Sequence, residues 1–182
     1  MVLMDSEPIP LGTLAPAFSL PGTDGETYSL DSFPGAKVHV VMFICNHCPY
    51  VQAVEDRLIA LGREYIPREV AFFAVMSNDV RRYPDDHPDR MRERARKRGY
   101  PFPYLYDESQ EVARAYGAVC TPDLFAFDDQ KKLRYHGRID DNWKDATAVT
   151  KQELRDAVEA LLAGRQPSGQ QIPSMGCSIK WK

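Results

Sequence analysis

The sequence predicts an α/β fold with a mixed central β-sheet flanked by helices on both faces. Three observations carry this. The runs Val40–Cys45 and Val70–Met76 are uninterrupted, apolar and of strand length, the pattern of strands covered on both sides. Stretches with apolar residues three and four apart alternate with them, and alternating β and α segments give a parallel core. Two hairpin patterns, one early and one late, add antiparallel strands.

The first 35 residues are rich in Pro and Gly. Within them Ala17–Leu20 and Thr27–Leu30 alternate around Pro21-Gly22-Thr23-Asp24-Gly25, which predicts an added N-terminal β-hairpin. Lys37–Ile44 is mostly Val, Met, Phe and Ile and predicts a strand. After Cys45-Asn46-His47-Cys48-Pro49-Tyr50, the residues Val51, Val54, Leu58, Leu61 and Tyr65 mark one face of a helix. Val70–Met76 is the second buried strand. Asp86 as a cap, Pro88 in the first turn and Gly99 past the end bracket a helix whose apolar stripe is only Met91 and Ala95. Gln110–Tyr116 predicts a short helix stopped at Gly117. Leu124–Phe127 and Leu133–His136 flank a polar turn and predict a hairpin. Thr150 with Glu153 reads as a capping box for a helix carrying Leu154, Val158, Leu161 and Leu162 and stopped by Gly164.

A chain of 182 residues fits one domain and buries about 70% of the surface it would expose unfolded. We expect that domain, hairpin included, over 1–164, and a tail over 165–182. The tail ends apolar and basic, Met175-Gly176-Cys177-Ser178-Ile179-Lys180-Trp181-Lys182, and is expected to dock, because leaving a Trp in water is costly. Hydrophobic residues at 43% and charged residues at 27% exclude a disordered or fibrous chain. No apolar run approaches about 18 residues, so no membrane partner is expected. The net charge is −3, yet Arg81–Arg98 carries eight basic and four acidic residues. No aromatic residue interleaves with its arginines from Met91 on, so it reads as a solvated helix face and no nucleic-acid partner is expected. Met1–Pro8 has neither the basic segment nor the apolar core of a secretory signal, so the expected compartment is the cytoplasm.

Four cysteines are present: Cys45, Cys48, Cys120 and Cys177. A Cys-x-x-Cys between a buried strand and a helix points to chemistry. The strand brings Cys45 to the carboxyl end of the sheet, where open α/β sheets place their sites. The helix aims free N–H groups and its positive dipole end at the sulfurs. Such settings lower a thiol from about 8.5 into the range of roughly 3.5–7.5. A close pair can also form a disulfide, so one sulfur attacks and the other resolves. His47, flanked by Asn46 and Cys48, is expected to tune the pair by favouring thiolate, which makes the couple more oxidising. Pro49 disfavours helical geometry at Cys48, so a strained first turn is expected. The alternative is a metal site through Cys45, His47, Cys48 and Cys177, although zinc wants a second ligand pair at proper spacing and no metal is assigned. Cys120 reads as a small buried hydrophobe. Cys177 reads as a reserve thiol. His39, His87 and His136 read as structural or solvated, and Asp140-Asp141 as a cap for a neighbouring segment.

Strand, Cys-x-x-Cys and helix, followed by Val119-Cys120-Thr121-Pro122-Asp123 before a hairpin, resemble the thioredoxin fold. Leu14-Ala15-Pro16-Ala17-Phe18-Ser19-Leu20-Pro21 resembles the opening of the alkyl hydroperoxide reductase/thiol-specific antioxidant branch. Phe43–Val51, Phe102–Asp107, Cys120–Asp123 and the Gly176–Trp181 ending resemble a cytosolic thioredoxin-like/peroxiredoxin-like subgroup. The resemblance covers nearly the whole chain. It implies a thiol–disulfide oxidoreductase with Cys45 as nucleophile and Cys48 as resolving thiol. It implies that Pro122 is a cis-proline and that Thr121 offers its backbone to an extended substrate chain. It implies protein or small-molecule disulfides as substrates, a reductase or thioredoxin as partner, and no cofactor. The alternative is a thiol peroxidase. Peroxiredoxins carry Thr-x-x-Cys, but Met42 stands three before Cys45, and Cys45 three before Cys48. Thioredoxin places a buried acid six residues before its first cysteine; here His39 stands there.

Overall fold

The computed structural model describes residues 3–182. The chain opens with β1 (Leu3–Asp5) and the short hairpin of β2 (Leu20–Pro21) and β3 (Thr27–Tyr28). Next come β4 (Val38–Phe43), α1 (Pro49–Tyr65), β5 (Val70–Met76), α2 (Pro88–Arg98) and β6 (Tyr104–Tyr106). Then follow α3 (Glu111–Ala115), β7 (Cys120–Thr121), β8 (Asp123–Phe127), β9 (Leu133–Gly137), α4 (Glu153–Leu162) and β10 (Met175–Ser178).

The central sheet has the order β6-β5-β4-β8-β9. β4 pairs in parallel with β5, Val38 opposite Val70, and antiparallel with β8, Val41 opposite Phe125. The sheet is therefore mixed, as the sequence predicts. The continuous apolar runs are explained by alternation. Val40, Met42, Phe72 and Ala74 face a core closed by α1 and α4, while Val41, Phe43, Phe73 and Val75 face a second core. Phe18, Leu20 and Leu30 of the N-terminal segment close that second face with Tyr116, so the hairpin acts as a lid on the sheet.

Four short strands have no pattern the sequence reading could use: β1, β6, β7 and β10. Three of them form a separate sheet of order β1-β10-β7. The C-terminal strand lies in its middle, with Leu3 opposite Cys177 on one side and Thr121 opposite Cys177 on the other. Beyond it, Ile179 N–H donates to Val119 O at 2.8 Å, and Trp181 lies 4.3 Å from the Arg114 guanidinium carbon.

Two helix starts differ from expectation. α2 is capped by His87, whose ring nitrogen accepts from Asp89 N–H, while Asp86 is fully buried in the turn before it. α4 has no capping box. Gln152 is its cap residue, but its side chain accepts from Arg155 instead of capping the helix; Thr150 N–H and hydroxyl both donate to Asp141, and Glu153 binds Arg138. Charged partners outcompete the reciprocal neutral cap, because hydrogen bonds to ions are about twice as strong.

Candidate active site

β4 delivers the chain to the site. Ile44 N–H still donates to Val75 O at 2.9 Å, and then Cys45 leaves the sheet. Cys48 is the cap residue of α1, with φ −74° and ψ 119°, and Pro49 follows in the first turn. The expected strain is absent. The extended conformation that a proline imposes on its predecessor is the one a helix cap adopts anyway, and the missing N–H at the first helical position had no partner to lose.

Thr121 is the hub of the sulfur cluster. Its hydroxyl lies 3.4 Å from Cys45 Sγ. Its carbonyl oxygen lies 3.1 Å from Cys48 Sγ and accepts from that thiol when it is protonated. The Thr121–Pro122 bond is cis. Cys177 sits opposite Thr121 across the strand pair. Cys45 and Cys177 both lie close enough to Cys48 to shift its ionisation, so Cys48 stands between the other two thiols. Cys120 points elsewhere, its Sγ 3.8 Å from Pro122 O, and is fully buried.

Exposure does not distinguish the two sulfurs: Cys45 is 1% exposed, Cys48 0% and Cys177 2%. The tail strand closes over the pair. Their ionisation does distinguish them. The Cys48 thiol is lowered to about 5, first by the hydrogen bond from Cys45, then by that from Cys177 and by the backbone N–H groups of Val51 and Cys177. Cys45 is pushed well up, first by burial, then by its bond to Cys48 and by the Asp86 carboxylate. The two shifts are opposite in direction: thiolate is favoured on the sulfur at the helix end and disfavoured on the one facing an acid. Burial also raises Cys177, to about 12, and Cys120.

Asp86 is the functional residue the sequence reading missed. Its Oδ1 accepts from Asn46 N–H at 2.7 Å and His47 N–H at 3.3 Å. Its Oδ2 bonds His47 Nδ1 at 2.6 Å and accepts from Asn78 Nδ2 at 2.8 Å. Preceding a His-Pro helix start, it carries the signature of a cap, and nothing local points 40 residues back. With Nδ1 engaged, His47 Nε2 is buried without a hydrogen-bond partner, and the ring stacks on Tyr83 at 5.2 Å. Asn46 is immobilised: Nδ2 donates to Asp85 O, Oδ1 accepts from Tyr104, and its carbonyl accepts from Gln52. His39 lies among Leu30, Asp31, Asp128 and Lys131 instead of the sulfurs, so it cannot substitute for the acid of thioredoxin. His136 binds Asp123 at 2.8 Å on the far face of the sheet, and burial raises that acid.

A Cys45 sulfur, a His47 nitrogen and an Asp86 oxygen lie within 4.8 Å of one another, a spacing a metal could bridge. A carboxylate offers about four lone-pair sites, and four donors already occupy those of Asp86. A metal ligand role for Asp86 would break those bonds.

The family model described as AhpC/TSA matches residues 11–136, more than half of the sequence. The chain belongs to the AhpC/TSA family. A conserved protein from Geobacillus kaustophilus, described as uncharacterized, is 47% identical, with 100% of this chain and 97% of that one covered and a TM-score of 0.95. A hypothetical protein from Sinorhizobium meliloti 1021 is 40% identical, with 98% of each chain covered and a TM-score of 0.94. A thiol:disulfide interchange protein of the thioredoxin family from Chlorobium tepidum TLS is 20% identical over 71% of this chain and 87% of that one, with a TM-score of 0.58, a likeness of fold. No curated protein matches the sequence. AhpC/TSA membership makes this a thiol redox protein of the thioredoxin-like superfamily. Among the described residues, no helix is long and apolar enough to cross a membrane.

Proposed function

We propose that the protein is a thiol–disulfide oxidoreductase whose working couple is Cys45–Cys48. The observation that carries this is the pair of buried sulfurs at the start of α1, both held by Thr121, with the Cys48 thiol lowered and the Cys45 thiol raised. The two shifts set the sequence of events. Cys45 passes its proton to the Cys48 thiolate and attacks one sulfur of a substrate disulfide. A mixed disulfide forms and the first substrate thiolate leaves. That thiolate takes the proton from Cys48, which attacks Cys45 Sγ. The Cys45–Cys48 disulfide forms and the second substrate thiolate leaves. Two protein thiols are oxidised and one disulfide is reduced.

A second reading, a thiol peroxidase, draws on family membership and on the Thr121 hydroxyl beside Cys45. That hydroxyl supplies in space what the missing Thr-x-x-Cys would supply in sequence. Cys45 thiolate would attack a peroxide oxygen to give a sulfenic acid and hydroxide, and Cys48 would then displace water to form the same disulfide.

Reduced protein should consume oxidised glutathione, and digestion of the unreduced product should yield a Cys45–Cys48 linked peptide. Cys45→Ser should abolish turnover. Consumption of hydrogen peroxide with glutathione disulfide left untouched would replace the first reading by the second.

A further inference from the structure

Thr121 was expected to offer its backbone to an extended substrate chain. In the structure that edge is taken by the protein's own C-terminal strand, with Cys177 in register opposite Thr121 and Ser178 opposite Cys120. A strand lying along the cis-proline loop presents a cysteine to the active-site pair, so β10 is built like a bound substrate. We propose that Cys177 is a third redox thiol that converts the Cys45–Cys48 disulfide into a Cys48–Cys177 disulfide. This rests on the Cys45–Cys48 couple proposed above and extends it.

Three placements carry the step. Cys48 Sγ lies 3.1 Å from the carbonyl of Thr121, the residue paired with Cys177, and is close enough to Cys177 to shift its ionisation. α1, which Cys48 caps, packs on β10, which carries Cys177. Gly176 lets the strand approach this closely: a Cβ there would stand 1.9 Å from Thr121 O and 2.6 Å from Thr121 C. No side chain fits at 176 without moving the strand or the loop.

The exchange balances without any outside reagent. Cys177 gives up its proton and its thiolate attacks Cys48 Sγ. The Cys48–Cys177 bond forms, the Cys45–Cys48 bond breaks, and Cys45 leaves as a thiolate that takes the proton. One disulfide and one thiol remain, as before. Cys45 is then reduced and able to attack a second disulfide, while the first oxidation is stored under the tail.

Cys45→Ser isolates the step. Treated with oxidised glutathione, this variant should lose two hydrogens and give a Cys48–Cys177 linked peptide on digestion. If both thiols remain alkylable, or if Cys48 ends as a stable glutathione adduct or an intermolecular dimer, the proposal is overturned. Gly176→Ala provides the second arm. With Cys45→Ser it should slow the crosslink by about tenfold or more, because the two sulfurs lose their enforced proximity. An unchanged crosslinking rate in the double variant would also overturn the proposal. The two readings separate cleanly: Cys177→Ser, in which the exchange is blocked, sinks the couple if it yields no Cys45–Cys48 peptide, whereas Cys45→Ser without Cys48–Cys177 sinks only the third thiol.

Discussion

Asp86 binds two backbone N–H groups, an imidazole and an amide while lying close enough to Cys45 to oppose its ionisation. Replacing its charge should therefore act on the sulfur. Asp86→Asn should let Cys45 ionise at lower pH and raise the reduction potential by tens of millivolts, about 30 mV for each 1.4 kcal/mol of thiolate stabilisation. The lost charged hydrogen bonds should cost about 1–3 kcal/mol of stability. Thiolate absorbance during titration and equilibrium with glutathione measure the two effects; a lower potential contradicts the assignment. His47→Ala should move the potential down, because it strips from Asp86 the imidazole that shields the sulfurs. The Cys45-x-x-Cys48 pair was legible because strand, spacing and helix are all local. Asp86 was not, because its partners lie near residue 46 and its own neighbours imitate a cap. The contact of Cys177 with Cys48 depends on a strand register that no local pattern encodes.

The same division holds for whole elements. Val38–Phe43 and Val70–Met76 were readable because every position is buried and all but His39 are apolar. Tyr104–Tyr106 has three residues and Cys120–Thr121 two, too few to show a period. Met175–Ser178 contains glycine and serine, and only its partners make it a strand. The docked tail carries real stability. Ile179 is 3% exposed within the second core, so Ile179→Ala should cost about 2–5 kcal/mol in urea unfolding. Gly62 sets helix preference against packing on α1. Alanine there gains about 1 kcal/mol of propensity. Its Cβ would meet Pro101 at 2.7 Å and Phe102 at 2.8 Å, and overpacking costs about 1–3 kcal/mol. Packing should win, and a Gly62→Ala protein more stable than the parent would refute this.

For the molecule as a whole, the Cys48 thiolate couples folding to redox state. Its thiol ionises at about 5 when folded and near 9.0 when unfolded. Between those values the unfolded chain holds a proton that the native one lacks, so stability rises with pH. The contribution is complete above about pH 9 and lost as pH falls through about 5. The oxidised protein has no such thiol, so the urea midpoint of the reduced form should rise relative to that of the oxidised form from acid towards pH 9. A gap independent of pH would remove the thiolate from Cys48. The middle position of β10 has one more consequence. Without it, β7 would end in a bare row of backbone donors and acceptors beside the reactive sulfurs, an invitation to pair with any passing extended chain. With it, the edge on that side is β1, which has three described residues and ends in Asp5. Few backbone groups are left there as a template, so the fold guards against edge-to-edge pairing beside its reactive sulfurs.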